Sequence, residues 1–312
     1  MHPTQKPLFT GCATALVTPM LPCRDDRTCT SPAVDYAGFR RLVCRQLAAG
    51  VDALVVCGTT GESPTLTDEE KRELFSIAVT ESRRHREDSG HRVPIIAGSG
   101  SNNTRRAVEL SRIAEQAGCD GLLVVTPYYN KANGEGLVAH YAAVAAAVPL
   151  PILAYHVPGR TGCRLTPETC RALSRLESVV GLKDATGDVG FAARVAAVCG
   201  DALPLYSGCD DSILPLLSLG GQGVVSVVSN LYPERVVTLC RAHASGDNEA
   251  ARRHQLELIP LCDALFSDVN PIPIKAALAA RGLCADVLRL PLTAAGEEVR
   301  RRVRAAMEGM GE

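Results

Sequence analysis

The chain is expected to fold as a closed (β/α)8 barrel with a C-terminal helical extension. Eight short, continuously apolar runs recur through residues 11–229, with helical patterns between them. Continuous apolarity is what strands covered on both faces require. Eight such repeats in residues 1–245 suit a closed barrel. An open doubly wound sheet fits less well, because no GxGxxG follows the first run.

The runs are, in order, GCATALVTP from Gly11, DALVVCG from Asp52, VPIIAGSG from Val93 and GLLVVTP from Gly121. PILAYHV from Pro151, VVGLKDAT from Val179, LPLYSG from Leu203 and GVVSVVS from Gly223 complete the set. Between the first two, Tyr36, Phe39, Val43 and Leu47 share one helical face. Ala107, Leu110, Ala114 and Ala117 do the same after the third. Thr67 and Glu70 have the spacing of a capping box before the helix that follows the second run. Residues 246–312 contain no convincing strand and read as a helical domain, with NPIPIK at 270–275 as a kinked connector. The expected division is therefore a barrel over 1–245 and helices over 246–312.

Bulk composition excludes several classes. With 312 residues and 46% hydrophobic residues, the chain has ample core. The net charge is -1, so no basic excess marks a nucleic acid or an anionic membrane as partner. Thirteen cysteines include no CxxC pair, and Cys44, Cys57 and Cys240 sit in apolar runs. They read as buried free thiols of a reducing compartment, without metal or disulfides. The opening MHPTQKPLFTG has no apolar h-region, so a secretory signal is not expected, and the cytoplasm is. Residues 137–157 are apolar, but Pro149 and Pro151 divide them into a helix and a strand rather than a membrane span.

The chemistry collects where barrel strands end. The chain carries 28 Arg and only 5 Lys, yet Lys183 stands inside an apolar strand. Burial disfavours a charged amine, and a neutral amine attacks ketones to form an iminium. A structural pair with Asp184 is the alternative, weakened because neighbours in a strand point opposite ways. Thr59, Thr60 and Gly61 form a tight turn whose hydroxyls and N–H groups suit a carboxylate, although an ordinary capped turn looks the same. Tyr128 and Tyr129 are adjacent in a chain with 7 Tyr and no Trp, and aromatic packing would also account for them. Tyr155 lies in the fifth strand, and Arg160 in the loop after it suits bidentate carboxylate binding, or is a surface Arg in a Pro-Gly turn. His156 should face away from Tyr155 and is read as structural. Together these residues suit carbon–carbon bond formation or cleavage on a 2-oxo acid.

GTTGES, TPYYN, VPGRTG, GLKDATG and NPIPIK resemble, in order and spacing, the motifs of the dihydrodipicolinate synthase family, over residues 9–292. That resemblance implies a barrel with a helical C-terminal domain, usually a tetramer of two tight dimers, with no cofactor or metal. It implies that Lys183 condenses with pyruvate, and that Thr59, Tyr129 and Tyr155 relay protons, with Tyr129 reaching the neighbouring subunit. It further implies that Thr60 holds the pyruvate carboxylate and that Arg160 receives the carboxylate of L-aspartate 4-semialdehyde. Gly208 and Val225 would line the pocket through backbone groups. His156, Asp184 and Cys209 depart from commoner Asn, Glu and Asp, without touching the Lys or the relay. Ser63, Asn102 and Tyr128 match a lysine-inhibition site, but Asp68, Lys71 and Arg106 replace its His, His and Glu, so feedback by lysine is expected to be weak or absent. Sialic-acid and keto-deoxy-sugar-acid aldolases share the Schiff-base Lys but generally lack the GRTG Arg, which makes Arg160 the discriminating residue. A non-catalytic barrel would be expected to have lost the nucleophile or its relay.

Overall fold

The computed structural model describes residues 6–23 and 31–311. Eight parallel strands close into one barrel in chain order. They are β1 (Gly11–Ala15), β2 (Ala53–Val56), β3 (Ile95–Gly98), β4 (Gly121–Val125), β5 (Ile152–His156), β6 (Val179–Asp184), β7 (Leu205–Ser207) and β8 (Gly223–Ser226). β1 pairs with both β2 and β8, so the ladder has no free edge. All eight apolar runs thus supply the strands expected of them.

Helices alternate with the strands: α1 (Tyr36–Ala48), α2 (Asp68–Ser89), α3 (Thr104–Gln116) and α4 (Gly134–Ala147) come first. A short α5 (Pro158–Thr161) and α6 (Pro167–Leu173) follow β5. Next come α7 (Val189–Cys199), α8 (Ile213–Leu217) and α9 (Pro233–Ala244). The last helices are α10 (Asn248–Leu265), α11 (Ile272–Ala280) and α12 (Glu297–Glu308). The capping box forms: the Thr67 hydroxyl accepts from Glu70 N–H at 3.2 Å, and the Glu70 carboxylate accepts from Thr67 N–H at 2.9 Å. Apolar faces of the helices pack on the outside of the strands, while Ala13, Val55, Ile96, Leu153, Tyr155, Tyr206 and Val225 belong to a separate cluster inside the barrel.

Two expectations need correction. NPIPIK is not a connector throughout, because α11 begins at Ile272 with proline in its first turn. First-turn N–H groups have no intrahelical acceptor, so proline there sacrifices no helical bond. The cysteines are also less uniform than their sequence contexts suggest. Eleven are free, but Cys44 is exposed, with its thiol 3.7 Å from the Glu81 carboxylate, and Cys23 is disulfide-bonded. Apolar neighbours in sequence do not fix which way Cys44 faces on α1, and disulfide geometry depends on spatial approach rather than spacing. Cys29 lies outside the described residues.

A buried ion pair fastens the C-terminal helices to the barrel. Lys275 of α11 is wholly buried and donates to the Glu62 carboxylate at 2.6 Å and to the Thr18 carbonyl at 2.9 Å. Glu62 also accepts from Arg289 N–H at 3.1 Å, and the Arg289 guanidinium forks onto Glu70 at 2.6 and 2.7 Å. Removing one member of such a pair strands a buried charge. Lys275→Met is therefore expected to lose about 3–5 kcal/mol of stability in urea unfolding, and Glu62→Leu/Lys275→Met to recover much of it. A Lys275→Met protein as stable as the parent would contradict this account.

Candidate active site

Strand alternation sets the direction of every side chain at the barrel mouth. Tyr155 on β5 pairs in register with Lys183 on β6, and His156 with Asp184. The first pair turns inward: Lys183 is 6% exposed, and its ammonium nitrogen lies 4.1 Å from the centre of the Tyr155 ring. The second pair turns outward. His156 is buried, accepts from Leu165 N–H at 3.0 Å through Nε2, and packs 4.9 Å from the Phe191 ring on α7. Asp184 accepts from the Thr186 hydroxyl at 2.9 Å and lies 3.4 Å from His156 Nδ1. Neither residue faces the cavity, so Asp184 does not neutralise Lys183 through a side-chain pair.

Small residues make room for the lysine. A Cβ added at Gly208 would stand 2.9 Å from Lys183 Cε and 2.6 Å from Ala185 Cβ. Val225 on β8 is buried in the interior cluster with Tyr155. Deeper in the barrel, Tyr206 pairs in register with Lys183 and donates its hydroxyl to the Phe9 carbonyl at 2.8 Å.

Above the strands lies a cavity of about 510 Å³, lined among others by Thr59, Tyr155, Arg160 and Asn270. Thr60 is buried beside it, its hydroxyl accepting from Asn270 Nδ2 at 3.0 Å. Arg160 sits in α5 and donates through Nη2 to the Asn270 carbonyl at 3.1 Å. Glu62, next to this turn, holds a left-handed backbone with φ 54°. The arrangement gives an amine in the barrel against the Tyr155 ring, and a cavity that Tyr155 shares with the Thr59 hydroxyl and the Arg160 guanidinium. That set can hold two carboxylates and carry out amine–carbonyl chemistry.

A sequence model described as the "Dihydrodipicolinate synthetase family" matches residues 8–310. The chain belongs to the dihydrodipicolinate synthetase family. A 4-hydroxy-tetrahydrodipicolinate synthase of Geobacter sulfurreducens is 43% identical over 301 residues, covering 96% of this chain and 98% of that one. The dihydrodipicolinate synthase structure from Thermotoga maritima superposes with a TM-score of 0.89 at 40% identity, covering 97% and 99% of the two chains. A chloride-inhibited dihydrodipicolinate synthase from Acinetobacter baumannii, solved in complex with pyruvate, gives 0.89 at 37% identity, covering 97% and 99%.

Within this member of the family, part of the expected set lines the cavity; Lys183, Thr60, Gly208 and Val225 lie outside its lining, Lys183 behind Tyr155 and Thr60 behind Asn270. Thr59, Tyr155 and Arg160 share the cavity, whereas Tyr129 is 88% exposed and does not line it. Tyr129 has a left-handed backbone with φ 73°, and its N–H donates to the Thr161 carbonyl at 3.0 Å. Ser63 and Tyr128 line an arm of the same cavity beside Lys71 and Arg106, and Asn102 does not. Burial holds the Lys71 ammonium below the ordinary lysine value, with Arg106 acting in the same direction. Arg106 is tied to Asp68, whose carboxyl it holds below the usual range.

Asn270 is a residue of this site that carries no signal of its role in the sequence. It lies within NPIPIK, but 210 positions separate it from Thr60, and no local pattern points across that distance. The glycine contact generates a test. Gly208→Ala is expected to push Lys183 off the face of the Tyr155 ring, because a 2.9 Å contact is closer than carbon atoms tolerate. A crystal structure of the variant with the amine still over the ring would show that the strand end has slack to spare.

Proposed function

We propose that this chain is a 4-hydroxy-tetrahydrodipicolinate synthase, a lyase that condenses pyruvate with L-aspartate 4-semialdehyde. The observation that carries the reading is Lys183, buried among apolar barrel residues against Tyr155 and under a rim bearing Arg160. Neutral Lys183 attacks C2 of pyruvate, and the carbinolamine loses water to give an iminium. Loss of a C3 proton gives an enamine, whose carbon bonds to the aldehyde carbon of the second substrate. The substrate's own amine then attacks C2 and expels Lys183, which closes the ring. Thr60 holds the pyruvate carboxylate, Arg160 the second carboxylate, and the backbone at Gly208 and Val225 shapes the floor.

Proton transfers pass along Tyr155, Thr59 and Tyr129, since each needs a donor within hydrogen-bond reach. Tyr129 projects from its own chain, which supports a tight dimer in which it completes the neighbouring site. Two such dimers form the tetramer we infer, working in the cytoplasm on reactants of lysine biosynthesis. No helix among the described residues is long and apolar enough to cross a membrane. The functional division into a barrel over 1–245 and helices over 246–312 is part of the same reading.

Borohydride reduction with pyruvate, followed by peptide mapping, is expected to place a pyruvyl adduct on Lys183. An adduct elsewhere, or none, would overturn the proposal. In the same assay series, Arg160→Ala is expected to keep the adduct and lose use of the semialdehyde; unchanged semialdehyde kinetics would favour an aldolase acting on an uncharged sugar aldehyde. Lysine is expected to inhibit weakly or not at all, because Lys71 and Arg106 repel its ammonium groups and Arg106 already occupies Asp68. Sub-millimolar inhibition in steady-state kinetics would refute that expectation.

A further inference from the structure

We propose that Asn270 is a positioning residue that sets the polarity of the Thr60 hydroxyl, and through it the grip on pyruvate. This rests on the reading that Thr60 holds the pyruvate carboxylate. A hydroxyl has one hydrogen to donate and lone pairs that accept. Asn270 Nδ2 donates to Thr60 Oγ1 at 3.0 Å and so occupies the accepting side. The Thr60 hydroxyl makes no other hydrogen bond among the described residues. Thr60 does not itself line the cavity, but Asn270 does, and the Thr60 hydrogen is committed to no acceptor among the described residues; a carboxylate that reaches it would gain a charge-assisted bond, about twice as strong as a neutral one.

The same residue steadies the second grip by a separate atom. Its backbone carbonyl, not its side chain, accepts from Arg160 Nη2 at 3.1 Å. Asn270 itself is buried, and its Oδ1 has no hydrogen-bond partner among the described residues. Nδ2 is thus the only side-chain tie among the described residues. A side-chain substitution should act on pyruvate and spare the semialdehyde. Aspartate is the informative change, being nearly isosteric yet unable to donate when ionised. It would draw the Thr60 hydrogen toward itself and turn lone pairs to the substrate.

The test is a double-mutant cycle read by initial-rate kinetics. Asn270→Asp is expected to raise the pyruvate KM about tenfold, the worth of one charge-assisted hydrogen bond, with the semialdehyde KM within about twofold. Asn270→Ala, which frees the hydroxyl without reversing it, should raise it about threefold. In a Thr60→Val background either change should add less than about twofold, since nothing remains to be oriented. An unchanged pyruvate KM in Asn270→Asp, or its full effect persisting without the Thr60 hydroxyl, would overturn the proposal; the second result would mark simple charge repulsion. Should Asn270→Asp fail to fold by circular dichroism, the alanine arm of the cycle decides. A Thr60→Val enzyme with the parental pyruvate KM would sink the Thr60 grip and the coupling together. A damaged Thr60→Val enzyme beside a normal Asn270→Asp one would sink the coupling alone.

Discussion

The Glu62 carboxylate is where three parts of the chain are held together. It accepts from Lys275 in α11 and from the backbone of Arg289, while Lys275 also reaches the loop after β1. Two charges taken out of water attract strongly, but each also loses its hydration, and good geometry with extra donors decides the balance. Here the carboxylate receives two donors, and the ammonium has a carbonyl as well as its counter-ion. The pair also fixes the turn that precedes it. Glu62 stands in a left-handed conformation unfavourable to a residue with a Cβ, and the surrounding bonds must over-determine it. Thr59 and Thr60 lie in that turn, so their placement depends on a lysine more than 200 residues away in sequence.

A closed ladder supplies the second constraint. With no free edge, the register between β5 and β6 cannot slip without disturbing all eight strands, and each step reverses every side chain. Tyr155 and Lys183 therefore share the inside, and His156 and Asp184 share the outside. The outer pair anchors the loop after α5 and the start of α7, through Leu165 and Phe191, and keeps the Asp184 carboxylate on the far side of the strand from the lysine.

Much of this was legible in the sequence because it repeats or is local. Eight apolar runs declare eight strands, and two-residue alternation predicts that His156 diverges from Tyr155 and Asp184 from Lys183. The rest was illegible for a physical reason: it depends on contacts between distant segments. Nothing near Lys275 announces Glu62, and nothing near Thr60 announces Asn270. The outward face of Cys44 depends on where α1 meets α2, whose Glu81 its thiol approaches. Tyr129 is 88% exposed, so the contacts of a single chain give its side chain no place in the cavity.

The sparing use of lysine now has a rationale. Arginine carries most of the positive charge, yet Lys71, Lys183 and Lys275 are all buried. Each meets a different field. Lys275 faces Glu62 and serves as a structural cation. Lys71 lies beside Arg106 with no hydrogen-bond or ion-pair partner among the described residues, and burial weakens its hold on a proton. Lys183 lies over an aromatic face, with no ion pair among the described residues. Arginine at this last position would remain protonated and could never offer a lone pair to a ketone. The residue type states what the strand can do, and its inward register, shared with Tyr155, states where.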